Sequence, residues 1–566
     1  MSSIVKIEVD VIIPVHNASS TIKETVLSAL HQAIPSSPSS LLQLFLQTYS
    51  ISNTVCCYDD GSKDESLEIL RQIESSLSGS ERATTTEVLT KPVEGLISSR
   101  LIIESSKHDE GRGAGYARNR AIEMNNVLLR GRKAPGGEGA KLEGKSDCVE
   151  DGSGLKFLCL LDSDDVMHKY RVIEQVLFMM YNVDDEIRSR TILGSTFGRD
   201  PPDSTWHYSN WANNLKDERL LLERYREITI LQPSWFMPLA VWTRVGGYIE
   251  APPYGSSDTV SDILSRYESS GSSSLKDSYL IHPKYDTLSS LKLAEDLRFF
   301  HSHLQLNGTL RLHRTTLATT LDRAFPLVTY RHTENNQSQS FRTSRKLLLQ
   351  LRALAFQKIV IRLDPSWKTG EGRFAIWGCG RDGKEFFKAL DHDIQERVYC
   401  FVDVAAKKLN AGYYVDTTAH RDKVKGSQIT NGMSKHERKR KQKRTARKIP
   451  IVHFSFLMPD QLKQEAVRSE WISNNAGGNK SVLGSIDKSQ NGVANSSSKI
   501  VQQNKKQKVD PTLRPTPELQ DRGLDRDVLS RIPVVVCVAM YRTNGVLESN
   551  VGKISRREGK DLWHFS

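Results

Sequence analysis

Short apolar runs alternate with segments of helical periodicity over the first 180 residues. Continuous apolar runs occupy positions 9–15, 54–58, 101–104 and 157–161, and each has the length of one buried strand. The segments 21–33, 65–77 and 116–126 that lie between these runs carry apolar residues at helical spacing. This alternation predicts an α/β fold built on a mostly parallel, doubly wound sheet, Rossmann-like in its winding.

Carboxylates follow two of these predicted strands directly. Asp59 and Asp60 come after the second run, and Asp162, Asp164 and Asp165 come after the last one. Open α/β sheets bind ligands at the carboxyl edge, where these acids would meet. Because like charges repel, the group of three predicts a divalent cation, Mg²⁺ or Mn²⁺, that carries a diphosphate. The alternative is that Asp165 caps the next helix.

A glycine-rich segment opens the helix between the last two of these strands. Gly111, Gly113 and Gly115 precede the segment 116–126, in which Arg118 is a basic residue of the first turn. Amides near Gly113 and the Arg118 guanidinium are candidates to meet phosphate oxygens. A plain loop with a solvated arginine is the alternative.

A second acidic pair lies far along the chain. The segment 291–305 predicts a helix with Glu295 and Asp296 in its first turns. One carboxylate offered from a different element suits a general base. The alternative is that these acids only satisfy the helix dipole. His332, which follows a predicted strand at 327–331, is a weaker candidate for a metal or diphosphate ligand, because a structural histidine is the commoner case.

A second α/β unit is predicted from residue 374 onwards. Gly378, Gly380 and Gly383 form a GxGxxG pattern between a predicted strand and a helix, and Asp403 follows twenty residues later. The pattern has two interpretations. It binds a dinucleotide, or its glycines only allow tight packing in a Rossmann-like unit, which we favour because few residues remain for a full dehydrogenase.

Composition changes this picture mainly in the C-terminal half. The 566 residues carry a net charge of +12, of which the run 435–448 alone carries +8, so the folded remainder is nearly balanced and nucleic-acid binding is not predicted. The seven cysteines are scattered and no apolar run is long enough to span a bilayer. Together with the absence of a signal-peptide pattern, these features predict a cytoplasmic protein with no membrane span, and the basic run leaves nuclear targeting open.

The motifs VIIPVHNA, DDGSKDES, GRGAGYARNRAI, LCLLDSDD and EDLRFF, in this order, resemble the family 2 glycosyltransferases of GT-A fold. The motifs DSDDVM, GRDPPDST and PSWFM indicate a closer similarity to its β-1,3-N-acetylglucosaminyltransferase-like members. The resemblance implies a nucleotide-diphospho-sugar transferase domain over 9–335 that uses a UDP-sugar, UDP-GlcNAc by this similarity, and a glycan or glycoconjugate acceptor. It also implies inversion at the anomeric carbon, although the frequent QxxRW motif after the ED pair is not evident here.

The same resemblance implies a role for each matching residue. Pro14 and Asn17 would border the nucleotide, and Asp60 would contact the uracil or ribose. Asp162 and Asp164 would form the DxD motif, with Asp164 or Asp165 on a Mn²⁺ or Mg²⁺ ion. Asp296 would be the general base, and Glu295 would support it.

The predicted organisation follows from these segments. The transferase domain at 9–335 is followed by a helical connector at 336–370 and by a C-terminal Rossmann-like unit at 371–566, with disordered insertions at about 416–448 and 471–528. Two other functions remain open at this point. One is an NAD-linked oxidoreductase that uses the C-terminal GxGxxG pattern, and the other is an inactive scaffold that binds nucleotide sugars.

Overall fold

A computed structural model describes residues 4–77, 88–89, 95–107, 110–126, 155–270, 279–319, 325–332, 343–368, 372–416, 446–459, 522–538 and 545–565. The chain divides into two compact units. The first comprises residues 1–364 with 385–391 and 564–566, and the second comprises 365–384 and 392–563. The division at residue 364 falls within the predicted connector, 336–370.

The strands are numbered in chain order. They are β1 (Val5–Val15), β2 (Tyr49–Asp59), β3 (Val88–Leu89), β4 (Ser98–Ser105), β5 (Leu155–Leu160), β6 (Val166–Met167), β7 (Thr191–Ser195), β8 (Phe197–Asp200), β9 (Phe236–Pro238), β10 (Thr309–His313), β11 (Val328–Arg331), β12 (Phe374–Trp377), β13 (Val398–Asp403), β14 (Tyr413–Asp416), β15 (Arg447–His453), β16 (Val534–Val536) and β17 (Leu562–His564).

The α-helices lie between these strands in the chain. They are Ile22–Leu30, Ser40–Thr48, Ser66–Leu77, Ala114–Met124, Arg171–Tyr181, Asp185–Arg188, Trp206–Asn214, Asp217–Leu222, Leu239–Val245, Val260–Ser270, Glu295–Gln305, Arg345–Phe356, Arg381–Ala389, His392–Glu396, Ala406–Ala411, Arg526–Leu529 and Val546–Gly552. Among the described residues, no helix has both the length and the apolar character needed to cross a membrane.

The first unit is organised around a large sheet. Its eight described strands have the order β10-β7-β9-β5-β1-β2-β4-β3. Strand β1 pairs in parallel with β2 and with β5, and β2 pairs in parallel with β4. Strand β9 is antiparallel to β5 and β7. The predicted mixed α/β architecture with a mostly parallel sheet, which is consistent with a GT-A fold, is therefore confirmed.

The core of this unit explains why the central strands are mostly apolar towards their carboxyl ends. Helices that contribute Val26, Leu70 and Val176 pack against residues of the central strands such as Val11 and Val55, and all five are fully buried. A parallel strand covered in this way is mostly apolar on both faces. The candidate acids follow directly after these strands, whereas Asp10 and Asn53 are buried polar residues within them.

A small sheet lies next to the end of β5. Its described strands have the order β6-β11-β8, with β11 antiparallel to β6 and parallel to β8. Strand β6 begins directly after Asp165. The acidic residues that follow β5 therefore lie between the large sheet and this small one.

The Ser-rich segment 253–290 contains a packed helix, Val260–Ser270. Ile263 and Tyr267 of this helix are buried and pack with Tyr279 and Leu291. The spacing from Val260 through Ile263 to Tyr267 is helical, and the abundant serines obscured it.

The second unit has its own sheet. The order of its described strands is β14-β15-β13-β12-β16-β17, and β12, β13, β15 and β16 are parallel where they pair. The predicted insertions at 416–448 and 471–528 lie mostly outside the described residues. Their ends were placed wrongly, because Arg447 and Lys448 belong to β15 and residues 526–528 belong to a helix.

The GxGxxG turn of the second unit is closely packed. Gly378 has φ +109°, and a Cβ on Gly383 would lie 1.9 Å from the Gly378 carbonyl oxygen. Asp403 Oδ2 accepts from the Cys379 amide and from Lys408 Nζ, and its Oδ1 accepts from two amides of its own turn. The glycines thus serve local packing, and Asp403 is already satisfied within the protein.

We predict that Gly383→Ala destabilises the second unit by about 1–3 kcal/mol, because the new methyl group overlaps a backbone oxygen that has little room to move. Gly380→Ala is the matched control. Its Cβ would meet only Lys408 Nζ at 3.9 Å, so its free energy of unfolding should stay within about 0.5 kcal/mol of wild type. Urea unfolding of the full chain checks both, and equal effects would show that the packing argument is wrong.

Candidate active site

Three carboxylates gather where β5 ends. One oxygen from each of Asp162, Asp164 and Asp165 lies within 4.8 Å of the others. Asp165 is fully buried; its Oδ1 accepts from the Arg331 amide at 2.9 Å, and its Oδ2 has no partner among the described residues. The next long helix begins at Arg171 with Tyr170 as its N-cap, so the alternative that Asp165 caps it is wrong.

Burial and like charges disfavour ionisation of the acidic cluster. Burial, and then the neighbouring Asp162, raise the pKa of Asp164 to about 6. Burial, and then the charges of Asp164 and Asp162, raise the pKa of Asp165 well above its ordinary value. An arrangement of hard oxygen donors with one buried and unpartnered oxygen fits a divalent cation of the Mg²⁺ or Mn²⁺ type.

Arg118 joins this cluster to the other acidic element. Its Nη2 donates to Asp162 at 2.5 Å and its Nη1 donates to Glu295 at 2.7 Å. The side chain is 3% exposed, so both interactions are shielded from water. The guanidinium predicted to meet phosphate oxygens is therefore engaged by two carboxylates of the protein.

Asp60 lies at the end of β2 and is buried. Its Oδ2 accepts from the Gly113 amide at 2.7 Å, whereas its Oδ1 is buried without a partner among the described residues. Burial raises the pKa of Asp60, and the amides of Arg112 and Gly113 oppose this effect. The Gly113 amide, predicted to meet a phosphate, is thus used to orient Asp60, and the φ of +104° at Gly113 permits this turn.

The ends of β1 and β2 are fastened together beside Asp60. Pro14 pairs with Tyr58 in the sheet. Asn17, with φ 51°, donates its amide to Ser62 Oγ and accepts at Oδ1 from the Lys63 amide. This arrangement places Pro14 and Asn17 beside the carboxylate that was predicted to contact the nucleotide.

Glu295 and Asp296 begin the helix Glu295–Gln305, after Ala294 in the left-handed conformation with φ 53°. Glu295 is buried against Arg118, whereas Asp296 is half-buried and accepts from the Leu297 amide at 2.6 Å. Burial, followed by the charge of Glu295, raises the pKa of Asp296 to about 7. A carboxylate with such a pKa can accept a proton near neutral pH.

The sequence interpretation missed several neighbours of these acids. His16 Nδ1 lies 3.0 Å from the Asp60 carbonyl oxygen. The charges of Arg331 and Arg199 favour ionised Asp164 and Asp165 respectively. Tyr208 lies within electrostatic reach of Asp296. The motif GRDPPDST, which begins at Gly198, was the available signal for Arg199. Nothing in the local sequence marked Tyr208.

We predict that Asp296→Asn stabilises the protein at pH 8 and less so at pH 5. The native pKa of about 7 lies above the ordinary value of 3.8, so the native state binds more protons in this window and wild type loses stability as the pH rises through it. Because the residue is only half-buried, the gain at pH 8 should be on the order of 1–2 kcal/mol.

Chemical unfolding at the two pH values measures this gain. The exposed Asp203→Asn is the control and should show no pH-dependent difference from wild type. If the Asp296 variant were equally or less stable than wild type at pH 8, the raised pKa would be contradicted.

Solved structures of S. aureus TarS are among those similar to this chain. The complex of TarS with UDP-GlcNAc aligns at 14% identity over 62% of this chain and 66% of that chain, with a TM-score of 0.31. The complex with UDP aligns at 13% identity over 69% of this chain and 83% of that chain, with a TM-score of 0.32. At these identities and scores the similarity says nothing further about the activity of this chain.

The sequence also matches a family model. Residues 10–239 match the model described as Glycosyl transferase family 2. The matched segment contains Asp60, Arg118 and the acidic cluster, and it ends before Asp296. Residues 10–239 of this chain therefore match a family 2 glycosyltransferase domain by sequence.

Proposed function

We propose that this protein is an inverting glycosyltransferase that moves a sugar from a UDP-sugar to an acceptor hydroxyl. The observation that carries the proposal is the meeting of three acidic elements at one sheet edge, two of them within the segment that matches family 2. Asp60 follows β2, the acidic cluster follows β5, and Asp296 opens a helix that Arg118 ties to Asp162. A nucleotide, a diphosphate and a reacting hydroxyl each require one of these groups.

The donor nucleotide is assigned to the Asp60 side of the site. The unpartnered Oδ1 of Asp60 is an acceptor of the kind that the N–H of uracil requires. Pro14 and Asn17 border this position. Amide N–H groups of the Gly113 turn already hold the other oxygen, so the carboxylate is oriented before the donor arrives.

Asp164 and Asp165 would hold the divalent ion, and Asp162 would face the donor. The ion, Mn²⁺ or Mg²⁺, would stabilise negative charge on the departing diphosphate. Two observations support this assignment. The Oδ2 of Asp165 has no partner among the described residues, and the pKa of Asp164 is raised. A nearby cation would pair with that oxygen and would favour the ionised form of Asp164.

Asp296 is proposed to act as the general base. Its carboxylate takes the proton of the acceptor hydroxyl while the hydroxyl oxygen forms a bond to the anomeric carbon and the bond to the diphosphate breaks. Attack from the face opposite the diphosphate inverts the anomeric carbon. A pKa of about 7 suits a base that must be ionised before the reaction and protonated after it. Glu295, held by Arg118, supports the base from its own helix.

The donor sugar and the acceptor are assigned by the motif resemblance alone. It favours GlcNAc as the transferred sugar and a glycan or glycoconjugate as the acceptor, with a β-galactoside as the first compound to test. The oxidoreductase alternative has less support, because the oxygens of Asp403 that a ribose would need are filled by Lys408 and backbone amides. The other alternative is a protein that binds a nucleotide sugar without transferring the sugar, and a transfer assay distinguishes it from an enzyme.

We predict that UDP raises the melting temperature only when Mn²⁺ or Mg²⁺ is present, since the diphosphate cannot approach the acidic cluster without a cation. Asp164→Ala should abolish the shift, whereas the exposed Asp203→Ala should leave it unchanged. A thermal-shift panel with and without EDTA measures this, with NAD in a parallel arm that should give no shift. Equal stabilisation by UDP in EDTA would contradict the role of the metal.

We predict that Asp296→Asn binds UDP-sugar with metal about as tightly as wild type but loses on the order of 10²–10⁴ in transfer rate, because the base acts in the transition state. The wild-type rate should fall as the pH drops through about 7, since the base becomes protonated. Calorimetry and a transfer assay on an acceptor found by screening check these results. Glu295→Gln should be milder, and transfer by the Asp296 variant at the wild-type rate would show that another acid is the base.

A further inference from the structure

We propose that Arg118 is a positioning residue that fixes the start of the general-base helix to the acidic strand end through its contacts with Asp162 and Glu295. In this role it is not a ligand of the donor phosphates. The inference rests on the proposed function for the identity of the base. The contacts of Arg118 do not depend on that identity.

The contacts of Arg118 leave its two terminal nitrogens engaged. One donates to Asp162 at 2.5 Å and the other to Glu295 at 2.7 Å, and the residue is 2% exposed. The guanidinium carbon lies 5.7 Å from the centre of the Tyr248 ring. Both terminal nitrogens are held by carboxylates, so turning the guanidinium onto a phosphate would draw it away from Glu295, which is buried.

Gly115 brings the two helices close enough for this bridge. A Cβ on Gly115 would lie 3.2 Å from the Cβ of Glu295 and 3.2 Å from the Cβ of Tyr248. Arg118 is three residues further on and therefore on the same face of the helix Ala114–Met124. The close approach at Gly115 and the ion pair at Arg118 thus hold the start of the helix Glu295–Gln305 at two successive points.

The charge of Arg118 also acts on Asp296. Among the described residues, the groups near Asp296 include Glu295 on its own helix, Glu227, Tyr208 and Arg118. Burial and the charges of the two glutamates raise the pKa of Asp296, and the charge of Arg118 lowers it. Removing Arg118 leaves the two like charges unopposed by this cation, so the pKa of Asp296 should rise further.

The experiment compares Arg118→Met, Arg118→Lys and Glu295→Gln with wild type. The matched control is Arg120→Met, on the same helix, whose side chain pairs with Glu250 and Glu123. Two quantities are measured for each. One is the pH dependence of transfer at saturating donor. The other is the change in the free energy of unfolding when Asp296→Asn is introduced into each variant, measured as a function of pH. This quantity reports the titration of Asp296 and needs no activity assay.

Arg118→Met should move the acid limb of the rate profile, and the pH at which the stabilisation by Asp296→Asn levels off, upward by about one pH unit or more. It should cost about fivefold or more in rate at pH 7, with UDP affinity in Mn²⁺ changed less than about threefold. Glu295→Gln should move both pH values downward. Arg118→Lys should keep them near wild type, and Arg120→Met should change neither.

Three outcomes would overturn the inference. The first is a rate loss in Arg118→Met that is uniform across pH, with the Asp296 titration unmoved. The second is a tenfold or greater loss of UDP affinity with an unchanged rate profile, which would make Arg118 a phosphate ligand. The third applies if Arg118→Met does not fold: Glu295→Gln then fails to lower either pH value. Failure of wild type to bind UDP or to transfer would instead refute the proposed function, and the stability arm would still test the inference.

Discussion

The crowding of carboxylates at one sheet edge is the constraint on which the rest of this site depends. Asp60, Asp165 and Glu295 are buried there, and Asp164 and Asp296 have raised pKa values because burial and like charges oppose their ionisation. Buried charges persist only when they are paired or neutralised. Arg118 neutralises part of this charge from within the protein, and in the proposed function a divalent cation would neutralise the remainder.

Much of the fold follows from the sequence because buried parallel strands are apolar on both faces. The runs at 9–15, 54–58 and 157–161 correspond to β1, β2 and the end of β5, and the paired registers confirm their parallel arrangement. Local patterns did not show the antiparallel strand β9, which has only three residues, or the packed helix Val260–Ser270. Strand β9 owes its conformation to pairing with β5 and β7, whereas the abundant serines obscured the helical spacing of Val260, Ile263 and Tyr267.

The candidate site was predictable where chemistry follows a strand end directly. The convergence of Asp162, Asp164 and Asp165 follows from their closeness in sequence directly after β5. The partners of Arg118 could not be foreseen, because Glu295 lies 177 positions further along the chain. For the same reason, the use of the Gly113 amide by Asp60 required the folded structure. Strand ends indicate which groups meet, whereas hydrogen-bond partners are decided by long-range packing.

The most direct measurement of the central claim is a crystal structure with UDP-GlcNAc and Mn²⁺, with the metal located by its anomalous signal. The account predicts Mn²⁺ on Asp164 or Asp165 and on the diphosphate, uracil on Asp60, and the anomeric carbon facing Asp296. Arg118 should stay between Asp162 and Glu295. A diphosphate bound to Arg118, or a donor bound away from the acidic cluster, would contradict the account.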